Sequence, residues 1–266
     1  MPSRILLAVM LTFGANAALR CGSSQPNGER RNPALASVPA ASPEAAASRN
    51  TAAPPHTAER PTTPAEPARR RYALLALGDS LTDERVHGGG YLKYMAGRCP
   101  ESRIDNFAKG GTMVNQMRRQ FEAVSPPAGG YTHLLIFGGV NDLYSDLTAG
   151  RTVKKITQDL SSIYKRAHQQ GMQVIAITVA PWGGFARFYN PQRAKATLEL
   201  NRWIKDQQTS GAVDVVIDAH ALLSCGDPER LCPDYEQRKN DGLHFNRAGH
   251  ERLGQMLYQS VFQDCR

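Results

Sequence analysis

Nowhere in its 266 residues does the chain offer the ~20 consecutive apolar residues that a helix needs to cross a bilayer; its longest apolar run, Ile5 to Phe13, falls well short. Cysteine is scarce, five in all. No Cys-x-x-Cys pair or His/Cys cluster is present, which argues against the common zinc sites and predicts chemistry without a metal or cofactor. No internal repeat is found, so solenoid and propeller arrays are excluded. Acidic residues are also in deficit, 24 Asp+Glu against 32 Lys+Arg, for a net charge of +8. That excess does not point to nucleic acid, because it sits mainly in the tail. The first 71 residues hold 9 Lys+Arg and 4 Asp+Glu, leaving 32 − 9 = 23 basic against 24 − 4 = 20 acidic residues, or +3, in the remainder.

What the chain does have begins with a leader. Arg4, the apolar run to Phe13 and the small residues Ala15 and Ala17 have the layout of a secretory signal over residues 1–20, which predicts an exported protein of the cell envelope or one that is secreted. Cys21 followed by Gly22-Ser23-Ser24 resembles the acceptor of bacterial lipoproteins, although Ala18-Leu19-Arg20 departs from the Leu-x-small-Cys pattern; membrane attachment through a lipidated Cys21 stays open. Residues 21–71 then read as a disordered linker. From Gly22 to Arg71 there are nine prolines among many Ala, Ser and Thr, and no aliphatic periodicity.

From Tyr72 to the end, residues 72–266, strand and helix patterns alternate. Strands are predicted at Tyr72–Leu77, Ile104–Ala108, Leu134–Phe137, Val174–Val179 and Val213–Ile217. Helices are predicted at Gly90–Arg98, Thr112–Val124, Val153–Gln170, Arg193–Thr209 and Asn246–Phe262. Five strands with intervening helices predict an α/β fold, a three-layer α/β/α sandwich on a five-stranded parallel sheet.

The first strand runs into Gly78-Asp79-Ser80-Leu81-Thr82. A serine on the turn where a buried strand gives way to a helix stands on a rigid support at the carboxyl edge of the sheet, where ligands of open α/β sheets bind. The bland alternative is a turn with Ser80 as a helix cap. Asp241-Gly242-Leu243-His244, just before the last helix, supplies a histidine that can take a proton from Ser80 and a carboxylate that can orient it. Two further stretches, Asn106 to Gly111 and Gly138 to Asp142, fall where strands give way to helices, and their backbone N–H groups and the Asn141 amide can face a developing oxyanion.

These four blocks, in this order, resemble the SGNH (GDSL) hydrolases, esterases and lipases of flavodoxin-like fold. The resemblance runs from Ala76 to the end of the chain. It implies an esterase domain cleaving ester or thioester bonds, with Ser80 as nucleophile, His244 as general base and Asp241 as its orienting partner. The oxyanion hole it implies comprises the Ser80 and Gly111 amides and the Asn141 side chain. His87-Gly88-Gly89-Gly90 is similar to the oxyanion motif of α/β-hydrolase lipases, but no Gly-x-Ser-x-Gly elbow accompanies it, and His87 is expected on the rim. The loop from Pro181 to Tyr189 is expected to overhang the crevice, with Trp182, Phe185 and Tyr189 touching an acyl chain or a sugar ring. An envelope ester or another small ester is then the substrate, of lipid or acetylated-carbohydrate type; a non-catalytic envelope binding module on the same fold is the alternative.

In an exported protein the four cysteines of the domain are expected to pair, Cys225 with Cys232 and Cys99 with Cys265, the latter because the winding of such a fold sets the first and last helices side by side. Oligomeric state is not legible in the sequence. A chain that starts near Arg70 is expected to fold and to hydrolyse a soluble ester as fast as the full chain, measured by circular dichroism and an ester assay; loss of folding would move the domain boundary.

Overall fold

The computed structural model describes residues 69–86, 88–237 and 241–265. The expected leader, Cys21, the linker up to residue 68 and His87 lie outside the described residues. Five strands, β1 (Ala73–Gly78), β2 (Arg103–Asn106), β3 (His133–Phe137), β4 (Gln173–Ile177) and β5 (Val215–Ile217), form one sheet in the order β2-β1-β3-β4-β5. Every pairing is parallel. All five residues of β3, His-Leu-Leu-Ile-Phe, are buried, as expected of a strand covered on both faces.

The covering helices are α1 (Gly90–Arg98), α2 (Val114–Ala123), α3 (Val140–Tyr144), α4 (Asp146–Ala149), α5 (Val153–Gln169), α6 (Pro191–Thr209), α7 (Ala219–Leu223) and α8 (Arg247–Leu257). Side chains alternate between the two faces of the sheet. Leu75, Leu77, Leu134, Ile136 and Val174 pack with Met117 and Phe121 of α2, Ile156, Leu160 and Ile163 of α5 and Leu200 and Ile204 of α6. Leu74, Ala76, Leu135, Phe137 and Ile175 pack with Leu92 and Met95 of α1 and Leu253 and Leu257 of α8. The result is the expected three-layer sandwich. The chain leaves β1 for β2 on one side and returns to β3 on the other, so a crevice opens past the carboxyl ends of β1 and β3.

Local signals set the helix starts. Asn190 caps α6 by accepting the Arg193 N–H at 2.9 Å, with Pro191 in the first turn, so α6 begins two residues before its predicted start. Conversely, α2 begins at Val114 rather than Thr112: Met113 is extended, and its N–H is capped by Gln116 Oε1 at 2.8 Å. The last predicted helix divides into α8 and a π turn over Tyr258–Phe262. A short antiparallel hairpin, β6 (Ser224–Cys225) and β7 (Asp227–Leu231), was not foreseen, since two and five polar-rich residues carry no strand period. The domain's contacts begin ahead of Tyr72: the Arg70 N–H donates to the Asp264 carbonyl at 2.8 Å, and Arg71 pairs with Glu101 at 2.8 Å.

Both expected disulfides form. Cys225–Cys232 closes the hairpin, and Cys99–Cys265 joins the end of α1 to the chain's end across 166 residues. In the chain-entropy model a cross-link of that span stabilises by roughly 5 kcal/mol and the hairpin cross-link by about half as much. Cys99→Ser with Cys265→Ser is therefore expected to lower the denaturation midpoint more than Cys225→Ser with Cys232→Ser, as measured by guanidinium unfolding without reductant.

Candidate active site

Past Gly78 the chain turns sharply. The Asp79 carbonyl accepts the N–H groups of Thr82 at 3.0 Å and Asp83 at 2.9 Å, and the Asp79 carboxyl Oδ1 accepts that of Leu81 at 3.0 Å. Ser80 sits on this turn, half-buried, at the mouth of the crevice. Its Oγ lies 2.9 Å from His244 Nε2, and His244 Nδ1 lies 2.6 Å from Asp241 Oδ2. The three residues predicted from two distant stretches of sequence thus form one hydrogen-bonded line.

The loop that carries the histidine is held at both ends. Asp241 Oδ1 accepts the N–H groups of Leu243 and His244, each at 2.9 Å, so one carboxylate shapes the loop and orients the imidazole. Burial opposes charge on Asp241, but the His244 and Leu243 N–H bonds and the imidazole outweigh it and hold its pKa below the usual carboxylate range. Two residues past His244, Asn246 caps α8 through the Gly249 N–H at 3.0 Å and donates to the Asp234 and Glu236 carbonyls. Gly242 must be glycine: its φ is +70°, and a Cβ there would stand 1.8 Å from the Gly184 carbonyl carbon. The loop that carries His244 is therefore packed backbone to backbone on the loop that follows β4.

The other side of the crevice offers donors. The N–H groups of Ser80 and Gly111 meet no acceptor among the described residues. Asn141, 5% exposed, reaches the residue after Gly111 through its bond to the Thr112 carbonyl. Two braces tie the Gly111 loop to the serine turn. Asp83 Oδ2 accepts the Gly110 N–H at 2.9 Å, while its Oδ1 holds Arg85 at 2.7 Å and Arg85 donates to the Ala108 carbonyl at 2.7 Å. Asn106 donates to the Thr82 carbonyl at 2.8 Å and accepts the Ala108 N–H at 3.0 Å. The Arg85 bond holds the Asp83 carboxyl below its ordinary pKa against the cost of burial. Next to Asn141, the buried Asp142 accepts the Val114 N–H at 2.9 Å and pairs with Arg151 at 2.6 Å, which also binds Asp159.

The expected aromatic contacts need correction. Trp182 is 1% exposed, donates its indole N–H to Thr197 Oγ1 at 2.9 Å and meets the Tyr189 ring edge-on, so it is a core residue and cannot present a face to substrate. Tyr189 lines a cavity of about 760 Å³ with Ala194, Lys195, Leu198 and Glu229, whose walls include none of Ser80, Asp241 and His244. Phe185 is partly buried and clusters with Tyr144 and Phe188, the last at 4.7 Å between ring centres. The Pro181–Tyr189 loop folds inward onto Gly242 and buries Trp182, while Phe185, Phe188 and Tyr189 stay partly exposed.

Asp79 and Asn106 lie within the sequence blocks singled out above, but no role was expected for their side chains or for Asp83 and Gly184. A brace between two loops has no local signature. Among the described residues no group of three or more His, Cys, Asp or Glu converges as metal ligands would.

The sequence model of the GDSL-like lipase/acylhydrolase family matches residues 76–252. No curated protein matches the chain by sequence. Solved structures match it by fold. A GDSL-like lipase from Bacteroides thetaiotaomicron aligns with a TM-score of 0.57 at 16% identity, over 72% of this chain and 88% of its own. An acetylxylan esterase from Geobacillus stearothermophilus, solved as a catalytic mutant, aligns at 0.57 and 18%, over 73% and 96%. An esterase from a Pseudoalteromonas species, inhibited by monoethylphosphonate, aligns at 0.52 and 21%, over 72% and 97%. With a family match over more than half of its length, on the fold just described, this chain belongs to the GDSL-like lipase/acylhydrolase family of ester-hydrolysing enzymes.

Proposed function

We propose that the enzyme cleaves its ester through an acyl-enzyme on Ser80. The observation that carries this reading is the line Ser80 Oγ, His244 Nε2, His244 Nδ1, Asp241 Oδ2, with contacts of 2.9 and 2.6 Å. His244 takes the Ser80 proton as Oγ attacks the carbonyl carbon, and Asp241 stabilises the resulting imidazolium. The N–H groups of Ser80 and Gly111 and the Asn141 amide receive the oxyanion. His244 then protonates the leaving alcohol, and a water molecule repeats the sequence to release the acid and regenerate Ser80.

An exported enzyme acting on esters in the envelope or outside the cell is the setting we propose. The leader-like N-terminus and the two disulfides support it, since disulfides persist in oxidising compartments. For the substrate, Phe185 with Tyr144 and Phe188 is an apolar surface suited to an acyl chain or to the face of a sugar. Two of the structural neighbours are described as acetylxylan esterases. Activity that rises with chain length on p-nitrophenyl esters would mark a lipid-type enzyme, and activity on acetylated xylan with only the shortest ester cleaved would mark a carbohydrate esterase.

Ser80→Ala and His244→Ala are each expected to abolish most turnover, and the double variant to be no slower than either, because the pair acts as one proton-transfer unit. A fluorophosphonate probe should label wild type at Ser80 by mass spectrometry; labelling at another serine would sink the assignment. Asn141→Ala is expected to lower kcat on the order of 100- to 1,000-fold with KM little changed.

The Asp83 brace acts on the same step. Asp83→Ala frees the Gly110 N–H and should lower kcat by about 10- to 100-fold through displacement of Gly111, while Asp83→Asn, which keeps an acceptor oxygen, should recover most of it. Steady-state kinetics on one soluble ester check both variants; equal losses would show that the charge on Asp83, rather than its hydrogen bond, matters.

A further inference from the structure

The carboxyl of Asp79 takes no part in the steps above, yet it is fully enclosed, 0% exposed, one residue before Ser80. Its Oδ1 accepts the Leu81 N–H, and its Oδ2 accepts no hydrogen bond among the described residues. Leu81, Phe137, Val140, Val179 and Leu243 surround it, with about 10 Å³ of free space alongside, room for one water molecule at most. The titratable groups that face it are Tyr91 from α1, Asp142 from α3 and His244 from the catalytic loop. The arginine on neighbouring Asp142, Arg151, is engaged by Asp142 and Asp159.

A carboxylate so enclosed, with one backbone donor, no cation of its own among the described residues and a second carboxylate as neighbour, resolves the cost of burial by holding its proton. We propose that Asp79 is a positioning residue that works as a neutral carboxylic acid, fixing the Ser80 turn through Leu81 while keeping negative charge away from the oxyanion that forms beside Asn141. The catalytic half of this inference rests on the acyl-enzyme reading above; the protonation half does not. Burial is the largest influence on the group, with Asp142 adding to it. The Leu81 N–H, His244 and the Asn141 amide pull the other way, and the balance leaves its pKa pushed up to about 7.

The sign of the linkage follows. Between the ordinary value of 3.8 and about 7, the folded protein keeps a proton that the unfolded chain has released, so folding stability from this group falls as pH rises through that window and levels off above it. Asp79→Asn, neutral and nearly isosteric, removes that loss. Activity should follow the same group: as Asp79 ionises above neutrality, a charge enters beside the oxyanion and kcat declines.

The test compares wild type, Asp79→Asn and Asp79→Ala in three measurements. Infrared difference spectra, wild type minus Asp79→Asn, are expected to show a protonated carboxyl band at about pH 5.5 that fades as pH rises past neutrality. The melting temperature of Asp79→Asn should gain on wild type across the acid-to-neutral window and stay level beyond it. With p-nitrophenyl acetate, Asp79→Asn should retain kcat within about threefold near pH 6 and lose the alkaline decline, while Asp79→Ala, lacking the Leu81 acceptor, should be at least about tenfold slower throughout. An ionised band at about pH 5.5, a flat melting difference, or an Asn variant that keeps the wild-type alkaline decline would each overturn the proposal. A wild type without esterase activity would instead overturn the acyl-enzyme reading, and the infrared and melting measurements would still decide the state of Asp79.

Discussion

The 2.9 Å contact between Ser80 and His244 joins residues 164 positions apart, and it exists only because α8 is seated against α1. Leu92 and Met95 of α1 and Leu253 and Leu257 of α8 share one apolar layer under the sheet. The two helices approach closely at Gly254, where a Cβ would stand 2.9 Å from the Tyr91 carbonyl oxygen and 2.7 Å from Tyr94 Cβ. At their far ends the Cys99–Cys265 disulfide joins the two segments. Serine is delivered by the strand that precedes α1, and histidine by the loop that precedes α8. Anything that lets these helices slide therefore separates Ser80 from His244.

A second constraint is the way the crevice handles charge away from water. Asp142 and Asp79 are both fully buried and lie near each other, yet the fold treats them differently. Asp142 has a backbone donor and an arginine, and that arginine is shared with Asp159, which in turn pairs with Arg118. Such a chain of partners compensates the loss of hydration, although burial still raises the Asp142 pKa. Asp79 has one backbone N–H donor, the weaker pull of His244 and the Asn141 amide, and largely apolar walls, with no arginine among the described residues. The contrast has a chemical logic: the charge that anchors α2 and α5 is neutralised by arginine, and the acid that precedes Ser80 in the chain is left where a charge is disfavoured.

The loops of the site are rigid for local reasons. Side-chain oxygens of Asp79, Asn106 and Asp241 each accept a backbone N–H within the turn or loop they shape, and Asp83 accepts one from the facing Gly111 loop. Asn246 fixes the start of α8 just past His244. Each bond is modest by itself, but the donors of a crevice must be held in place before the oxyanion appears, and side-chain acceptors on backbone N–H groups do that without a large core beneath them.

Much of this was legible in the sequence. The continuous apolar runs of β1, β3 and β4 mark buried parallel strands, the alternation with helical stretches marks the sandwich, and the four blocks single out Ser80, Asp241 and His244, which the fold brings into one hydrogen-bonded line. Spacing and residue type suffice there because strand burial, helix amphipathy and turn chemistry are properties of neighbours in the chain. The inward fold of Trp182, the braces at Asp83 and Asn106, the Gly184–Gly242 contact and the isolation of Asp79 were decided only by tertiary structure. Each depends on what a distant segment places beside the residue: Thr197 beneath an indole, a glycine amide opposite a carboxylate, or apolar walls around an acid. A tryptophan in a glycine-rich loop or an aspartate in a turn looks the same in sequence whether it faces water or the core, because its environment is assembled by elements up to 160 residues away.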